Sequence, residues 1–317
     1  MHGMSNCHGP KMKMDPTLHI ERKPDWLKVR LPNNPEFWST KSLITDLNLV
    51  TVCEEANCPN RWECWGKGTA TFMIAGEKCT RACGFCAVKT ARPDALDATE
   101  PSRVAEACKR LKLKHVVITA VCRDDLRDGG AEHFKFVIEA IRAHNPGIII
   151  EVLTPDFNDR DFALKLCLEG MPHVFNHNLE TVERLTPLVR SRAKYHRSLT
   201  VLKKALSFAE GKVVTKSGLM LGLGETEEEL FQAMDDLVAH DVSVLTLGQY
   251  MRPSPKHLPV VEYIKPEKFA EYKEVAISKG FRHCASGPLV RSSYLAADFQ
   301  PELDLIAEIE TKAALSR

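Results

Sequence analysis

The stretch Thr69-Ala-Thr-Phe-Met-Ile-Ala75-Gly-Glu-Lys-Cys79-Thr-Arg-Ala-Cys83-Gly-Phe-Cys86 decides the fold. Its first seven residues form a short apolar run that reads as a buried strand. The loop that follows carries three cysteines spaced C-x3-C-x2-C. The same rhythm of strand, polar loop and amphipathic helix recurs downstream. Strands are expected at His115–Val121, Ile148–Leu153, His173–Asn178, Val213–Leu221 and Val242–Gly248. Helices are expected at Pro101–Leu113, Ala131–His144, Arg160–Gly170, Ser198–Glu210, Thr226–His240 and Lys265–Gly280. Ser102 or Thr99 caps the first of these, Thr226 and Glu229 form a capping box, and Gly170, Gly211 and Gly280 mark C-termini. Six β–α units in this alternation predict an α/β fold, a partial TIM-like (β/α)6 barrel with N- and C-terminal extensions closing its sites. Chemistry in such barrels gathers on the loops after the strands, where Cys79, Cys83 and Cys86 fall.

Six of the 11 cysteines lie between Cys53 and Cys86, where an even scatter would put about one. They make two triplets, Cys53-x4-Cys58-x5-Cys64 and Cys79-x3-Cys83-x2-Cys86. Each offers three thiolates, one fewer than the usual set around an iron–sulfur cubane, so one iron is left to bind something else. Structural zinc sites repeat C-x2-C pairs or join them to His pairs. Only Cys83 and Cys86 have that spacing, and neither triplet has a nearby His at ligand spacing. Iron–sulfur ligation is therefore preferred over zinc and over a secreted disulfide framework.

The chain of 317 residues is 44% hydrophobic and 27% charged, the balance of an ordinary soluble globular protein. With 43 basic and 42 acidic residues it has no field that would attract nucleic acid or a membrane surface, and no apolar run approaches the ~20 residues of a spanning helix. Met1–Met14 is polar, without the apolar core of a secretory signal, so a cytoplasmic location with reduced thiols is expected. The expected organisation is a disordered tail (1–19), an extension carrying the first triplet (20–66), a barrel core (67–282) and a C-terminal extension (283–317). All four tryptophans, Trp26, Trp38, Trp62 and Trp65, fall in the Pro-punctuated first extension, expected to be an irregular wrap whose indoles pack on the barrel.

The second triplet, with Phe85 ahead of its last cysteine, resembles the loop of the radical S-adenosylmethionine superfamily. The resemblance implies a [4Fe–4S] cluster on Cys79, Cys83 and Cys86 whose fourth iron chelates S-adenosylmethionine. A low-potential cluster there injects an electron into the sulfonium and yields a 5′-deoxyadenosyl radical. By position after their strands, Gly129 and Gly130 are candidates to lie against the methionine moiety, Gly222 and Gly224 against adenosine, and Asn178 and Glu180 against methionine or ribose polar groups. Tight turns and loop satisfaction are the competing readings of these residues.

The upstream triplet narrows the reading. C-x4-C-x5-C ahead of C-x3-C-x2-C, together with Arg22–Lys28, Phe175–Thr181, Ser217–Thr226 and Gly287–Tyr294, resembles the lipoyl synthase family over nearly all of residues 20–297. This implies a second, auxiliary [4Fe–4S] cluster on Cys53, Cys58 and Cys64, completed by Ser293 or alternatively Ser292, whose sulfides are the sulfur source. A hard alkoxide on a soft cluster is a labile corner. The implied reaction inserts sulfur at C6 and C8 of an octanoyl group on a lysine of a lipoyl-carrier domain, with one S-adenosylmethionine cleaved per C–H bond. Implied partners are the E2 subunits of 2-oxoacid dehydrogenases and the glycine cleavage H protein, a ferredoxin or flavodoxin as electron donor, and an iron–sulfur carrier. Cys122 stands where an acidic residue is expected and is read as a neutral substitution. Cys7, Cys108, Cys167 and Cys284 are isolated, with Cys108 and Cys167 on apolar helix faces. His115, His173, His177 and His283 are read as structural. Lys28, Arg30 and the Arg190–Arg197 loop are either a docking face for an acidic carrier or a solvated surface.

Overall fold

A computed structural model describes residues 22–28, 35–67, 70–294, 306–309 and 311. The expected tail, Cys7, Arg30, Thr69 and most of 295–317 lie outside the described residues. Strand β1 (Thr71–Ile74) is followed by the short β2 (Lys78–Cys79) and β3 (Lys89–Thr90), which pair in parallel with each other. Then come β4 (His115–Ala120), β5 (Ile149–Leu153), β6 (Val174–Asn176), β7 (Val214–Leu221), β8 (Val244–Gln249) and β9 (His283–Gly287). One seven-stranded sheet runs β1-β4-β5-β6-β7-β8-β9, and every neighbouring pair is parallel. Strands buried along nearly their whole length, as in β1 and β8, are what a sheet covered on both faces requires.

The helices that alternate with these strands are α4 (Glu100–Arg110), α5 (Ala131–His144), α6 (Asp161–Glu169), α8 (Tyr195–Phe208), α9 (Glu227–Ala239) and α10 (Pro266–Lys279). All six expected helices are present, as are the six expected strands. The Thr226–Glu229 capping box forms with both of its hydrogen bonds. Thr99 takes the cap position of α4 without a side-chain hydrogen bond, and Gly170 ends α6 in right-handed geometry. The short helix α7 (Thr186–Val189) lies in the loop after β6.

Two features depart from expectation. Strand β9 is an addition: its five residues, His-Cys-Ala-Ser-Gly, carry little β propensity, and its pairing with β8, Val244 opposite His283 through Gly248 opposite Gly287, supplies what the local sequence lacks. The first extension is helical, with α1 (Pro35–Asp46), α2 (Val52–Glu55) and α3 (Arg61–Gly66). Phe37, Thr40 and Ile44 form the buried stripe of α1, a helical spacing that the surrounding prolines obscure. Phe37 stacks on Trp62 and Trp65 at 4.4 and 5.4 Å. Trp65 is buried, but Trp26 and Trp38 are 40% and 56% exposed, so two of the four indoles do not pack inward.

Among the described residues no strand pairing joins β9 back to β1. The terminal segments span that gap. Thr51 bridges Phe72 antiparallel, Met73 N–H donates to Val50 O at 2.8 Å, and Asn60 Nδ2 donates to Leu289 O at 2.6 Å. Tyr294 Oη donates to Glu63 Oε2 at 2.7 Å. At the opposite end of the barrel Val174, Val214 and Val244 pack on Ile306. Above them a buried ionic layer crosses the interior: Lys216 Nζ lies 3.2 Å from Glu151 Oε2, and Asn176 Nδ2 donates to Glu151 Oε1 at 2.8 Å. Among the described residues no helix is long and apolar enough to cross a membrane.

Candidate active site

All six clustered cysteines line one cavity of about 550 Å³ beside the loops that follow the strands. The first triplet is set by two short helices. Thr51 Oγ1 accepts from Glu54 N–H at 3.4 Å and starts α2, which carries Cys53. Cys58 N–H then bonds Cys53 O at 3.1 Å, and Cys64 sits on α3. Burial pushes the Cys53 thiol up to about 11, so loading a metal there must expel protons.

The second triplet is held by its own loop. Arg81, between Cys79 and Cys83, turns inward, with Nε 2.8 Å and Nη2 2.7 Å from the two oxygens of Asp124. Its Nη2 also lies 2.8 Å from Asp156 Oδ1 and donates to Asn158 Oδ1 at 3.0 Å. The loops after β4 and β5 thus hold the cysteine loop by its arginine. Gly84 N–H donates to Val189 O and Leu258 N–H to Gly84 O, and His257 Nε2 lies 3.0 Å from Cys86 O. Burial raises the Cys83 thiol and pushes Cys86 up to about 12. Cys79 goes the other way, to about 6, chiefly through a hydrogen bond with the Cys122 side chain.

Ser292 and Ser293 reach the cavity from the C-terminal segment and separate by partner. Ser293 Oγ accepts from Thr71 Oγ1 at 2.9 Å, and Thr71 also hydrogen-bonds the Cys53 sulfur through its backbone. Ser292 Oγ is engaged by the Asn178 amide at 2.8 and 3.0 Å, beside Glu180, which Asn178 Nδ2 also contacts at 3.1 Å. Glu180 has φ +70°, and burial raises its carboxyl pKa. Asn178 and Glu180 line the cavity; Gly129, Gly130, Gly222 and Gly224 do not. All four glycines have positive φ, which accounts for the residue type without a ligand. At Gly222 a Cβ would also meet Gln249 Nε2 and Glu262 O at 2.3 Å.

Three contributors were not singled out from the sequence, although Gly218 and Arg291 fall within the Ser217–Thr226 and Gly287–Tyr294 stretches. Gly218 and Gly248 let the C-terminal segment lie on the sheet: a Cβ at Gly218 would come 3.1 Å from Ser292 Oγ, and one at Gly248 2.1 Å from Val290 O. Arg291 lines the cavity near Cys58. The Arg190–Arg197 loop, weighed as a docking face, in part turns inward. Arg190 is buried and donates to Ser198 Oγ at 2.9 Å, and Arg197 Nε lies 2.9 Å from Asp156 Oδ2. His177 is satisfied by Thr154 O and Ser198 Oγ. His115 is buried, with Nε2 3.3 Å from Glu151 Oε2.

Among the described residues no three His, Cys, Asp or Glu side chains converge on one metal ion; the thiols line a larger volume. Six soft sulfur donors and two hydroxyls around one chamber form a donor set that fits iron–sulfur groups. Residues 73–237 match the Radical SAM superfamily, and residues 9–58 match the N-terminal domain of lipoyl synthase of that family. A lipoyl synthase of Halalkalibacterium halodurans is 52% identical over 296 residues, covering 93% of this chain and 97% of the relative. One from Bacillus mycoides is 55% identical over 284 residues, covering 89% and 95%. Among solved structures, methylornithine synthase superposes with TM-score 0.51 at 12% identity, covering 86% of this chain and 92% of that one. Streptococcus suis SuiB bound to its precursor peptide gives 0.54 at 11%, covering 85% and 58%; both likenesses concern the fold alone. From these relatives, the matched segments and the parallel partial barrel it follows that the chain belongs to the lipoyl synthase family of the radical SAM superfamily.

Proposed function

We propose that this chain inserts two sulfur atoms, at C6 and C8, into an octanoyl group carried on a lysine of a lipoyl-carrier domain. The observation that carries the reading is that both cysteine triplets and the Ser292–Ser293 pair line one cavity, so a single acyl chain can meet both. Cys79, Cys83 and Cys86 would hold one [4Fe–4S] cluster; Cys53, Cys58, Cys64 and Ser293 would hold the other. When bound, the first supplies an electron to S-adenosylmethionine for hydrogen abstraction, and the second supplies sulfide. Ser293 is favoured over Ser292 as the oxygen ligand because its partner Thr71 also contacts Cys53, whereas Ser292 is tied to Asn178.

The remaining lining residues have separate tasks. Val52, Met73, Val121, Met220, Met251 and Val290 give an alkyl chain apolar contact and exclude water from a reactive carbon centre. Asn178 and Glu180 offer polar contacts for the amino-acid or ribose part of S-adenosylmethionine. Arg291 beside Cys58 offsets the negative charge of a thiolate-bound cluster. Residues 20–66 then serve as the extension carrying the auxiliary ligands, 67–282 as the barrel, and 283–317 as the extension carrying the serines. The carriers of this reading are E2 subunits of 2-oxoacid dehydrogenases and the glycine cleavage H protein, with a ferredoxin or flavodoxin as reductant and an iron–sulfur carrier for reloading, in the cytoplasm.

The test is anaerobic turnover with reductant, S-adenosylmethionine and an octanoyl-lysyl peptide, followed by mass spectrometry. The intact protein should carry about eight irons and yield the dithiolated peptide with 5′-deoxyadenosine. Cys58→Ala should still release 5′-deoxyadenosine without inserting sulfur, and Cys83→Ala should do neither. Sulfur insertion by Cys58→Ala would remove the proposed donor.

A further inference from the structure

Residues 250–258, in the loop after β8, fold back onto the second cysteine loop. Tyr250 Oη donates to Leu258 O at 2.8 Å, Arg252 Nε to His257 O at 2.9 Å and His257 N–H to Ser254 O at 3.0 Å, which closes the segment on itself. It meets the Gly84-Phe85-Cys86 turn at both flanking carbonyls: Leu258 N–H donates to Gly84 O at 3.0 Å, and the ring nitrogen Nε2 of His257 lies 3.0 Å from Cys86 O. The approach is close enough to demand glycine, since a Cβ at Gly84 would come 2.9 Å from Leu258 Cγ. The His257 ring is held at its other edge as well, with Nδ1 2.9 Å from Ser254 Oγ. A carbonyl oxygen only accepts, so Nε2 carries the hydrogen, and in the neutral ring Nδ1 accepts from the Ser254 hydroxyl. Lys256 N–H donates in turn to Ser254 Oγ at 3.3 Å. Both ring nitrogens are committed, which fixes the orientation of the imidazole.

We propose that His257 is a positioning residue for the second triplet, which through Cys86 O holds the Cys79–Cys86 loop in the shape that takes up metal. The inference rests on the cluster assignment under the proposed function. The Cys86 carbonyl carbon is bonded to the same Cα that carries the thiol, so a donor that fixes the carbonyl also fixes where the sulfur points. A loop ordered before its ligand arrives has less freedom to lose on binding. The Leu258 contact is made by backbone and survives any substitution. The Cys86 contact is the part of the clasp that the side chain at position 257 decides. Partners just outside a ligand set are worth about 10–100-fold in metal affinity. His257 acts through the backbone of a single ligand, which puts its share at about 10-fold.

The test uses the full-length chain carrying Cys53→Ala, Cys58→Ala and Cys64→Ala, kept anaerobic, so that one triplet remains. Cd²⁺ alone is the probe, titrated by its thiolate-to-metal charge-transfer absorption after subtraction of the Cys83→Ala signal in the same background. Reconstituted with iron and sulfide, this background should hold about four irons per chain. If it holds none the cluster assignment itself falls, and this inference with it, an outcome distinct from any change of Cd²⁺ affinity. His257→Ala and His257→Asn, whose side chains are too short to reach Cys86 O, should weaken Cd²⁺ binding by about 10-fold. His257→Gln, whose amide nitrogen stands where the ring Nε2 does and still donates, should stay near the parent. Melting curves of the metal-free variants separate loss of the site from loss of the fold. Parent-like affinity in whichever of the Ala and Asn variants folds would overturn the proposal, and so would a Gln variant that weakens as far as they do.

Discussion

Replacing Arg81 by Met removes the cation that ties the second cysteine loop to the barrel and leaves carboxylates behind. Arg81 is 3% exposed, Asp156 0% and Asp124 15% at their side chains, so water does little to compensate. Breaking a buried pair from one side costs about 3–5 kcal/mol. Arg197 still faces Asp156, and Thr80 and Asn158 still donate to Asp124, which puts the expectation near the lower end, about 3 kcal/mol. At roughly 2–4 °C of Tm per kcal/mol for domains somewhat smaller than this one, the melting temperature should fall by on the order of 10 °C. Burial alone would raise the Asp124 carboxyl; Arg81 and the hydrogen bonds around it hold it well below the usual range. A depressed carboxyl contributes stability that is full above its unfolded pKa and lost as pH falls through the folded one. The acid limb of the wild-type stability profile should therefore flatten in Arg81→Met. Urea unfolding of the metal-free protein by circular dichroism, repeated between neutral and acid pH, measures both effects. The double variant Arg81→Met/Asp156→Asn should recover part of the loss, because the stranded charge is gone. A single variant within about 0.5 kcal/mol of wild type, the ordinary range for surface changes, would refute the reasoning.

Gly248→Ala should leave a folded protein, destabilised by about 1–3 kcal/mol, but cost on the order of 100-fold in sulfur insertion, because the new Cβ displaces the backbone of Val290; turnover and melting measured together separate the two. Burial holds His177 down to about 4, so its neutral form contributes stability that is full above the ordinary histidine value and lost as pH falls through about 4. Wild type should lose roughly 3 kcal/mol more than His177→Gln between pH 7 and 4 by urea titration. Asn60→Ala should cost about 1–3 kcal/mol by stranding Leu289 O; a melting curve that matches wild type would show that this crossing contact does not hold the seam.

Most of the barrel was legible because its strands and helices alternate with strong periods, and α5 occupies the expected span from Ala131 to His144. The cysteine triplets were legible because close spacing in the chain keeps each together, the first on two adjacent short helices and the second in one loop. Strand β9 and the closing contacts were not, since their stability comes from partners remote in sequence. Nothing local in His283–Gly287 demands an extended chain without β8 beside it. Arg81 looked like any loop arginine; its role appears only when Asp124 and Asp156 arrive from two other strands. The positive-φ glycines show the limit of reading a role from residue type. Backbone geometry alone accounts for Gly129 and Gly224, whereas Gly218 and Gly248, inside strands, are the ones that make room for the serine segment.

The seam of the barrel is stitched by partners far apart in translation order, Asn60 and Leu289 being 229 residues apart. Without the segment from Leu289 to Tyr294 the chamber would lack the wall that Val290, Arg291, Ser292 and Ser293 give it. A cluster held on Cys53, Cys58 and Cys64 would meet its serine side only once the segment ending at Tyr294 has docked against Asn60 and Glu63.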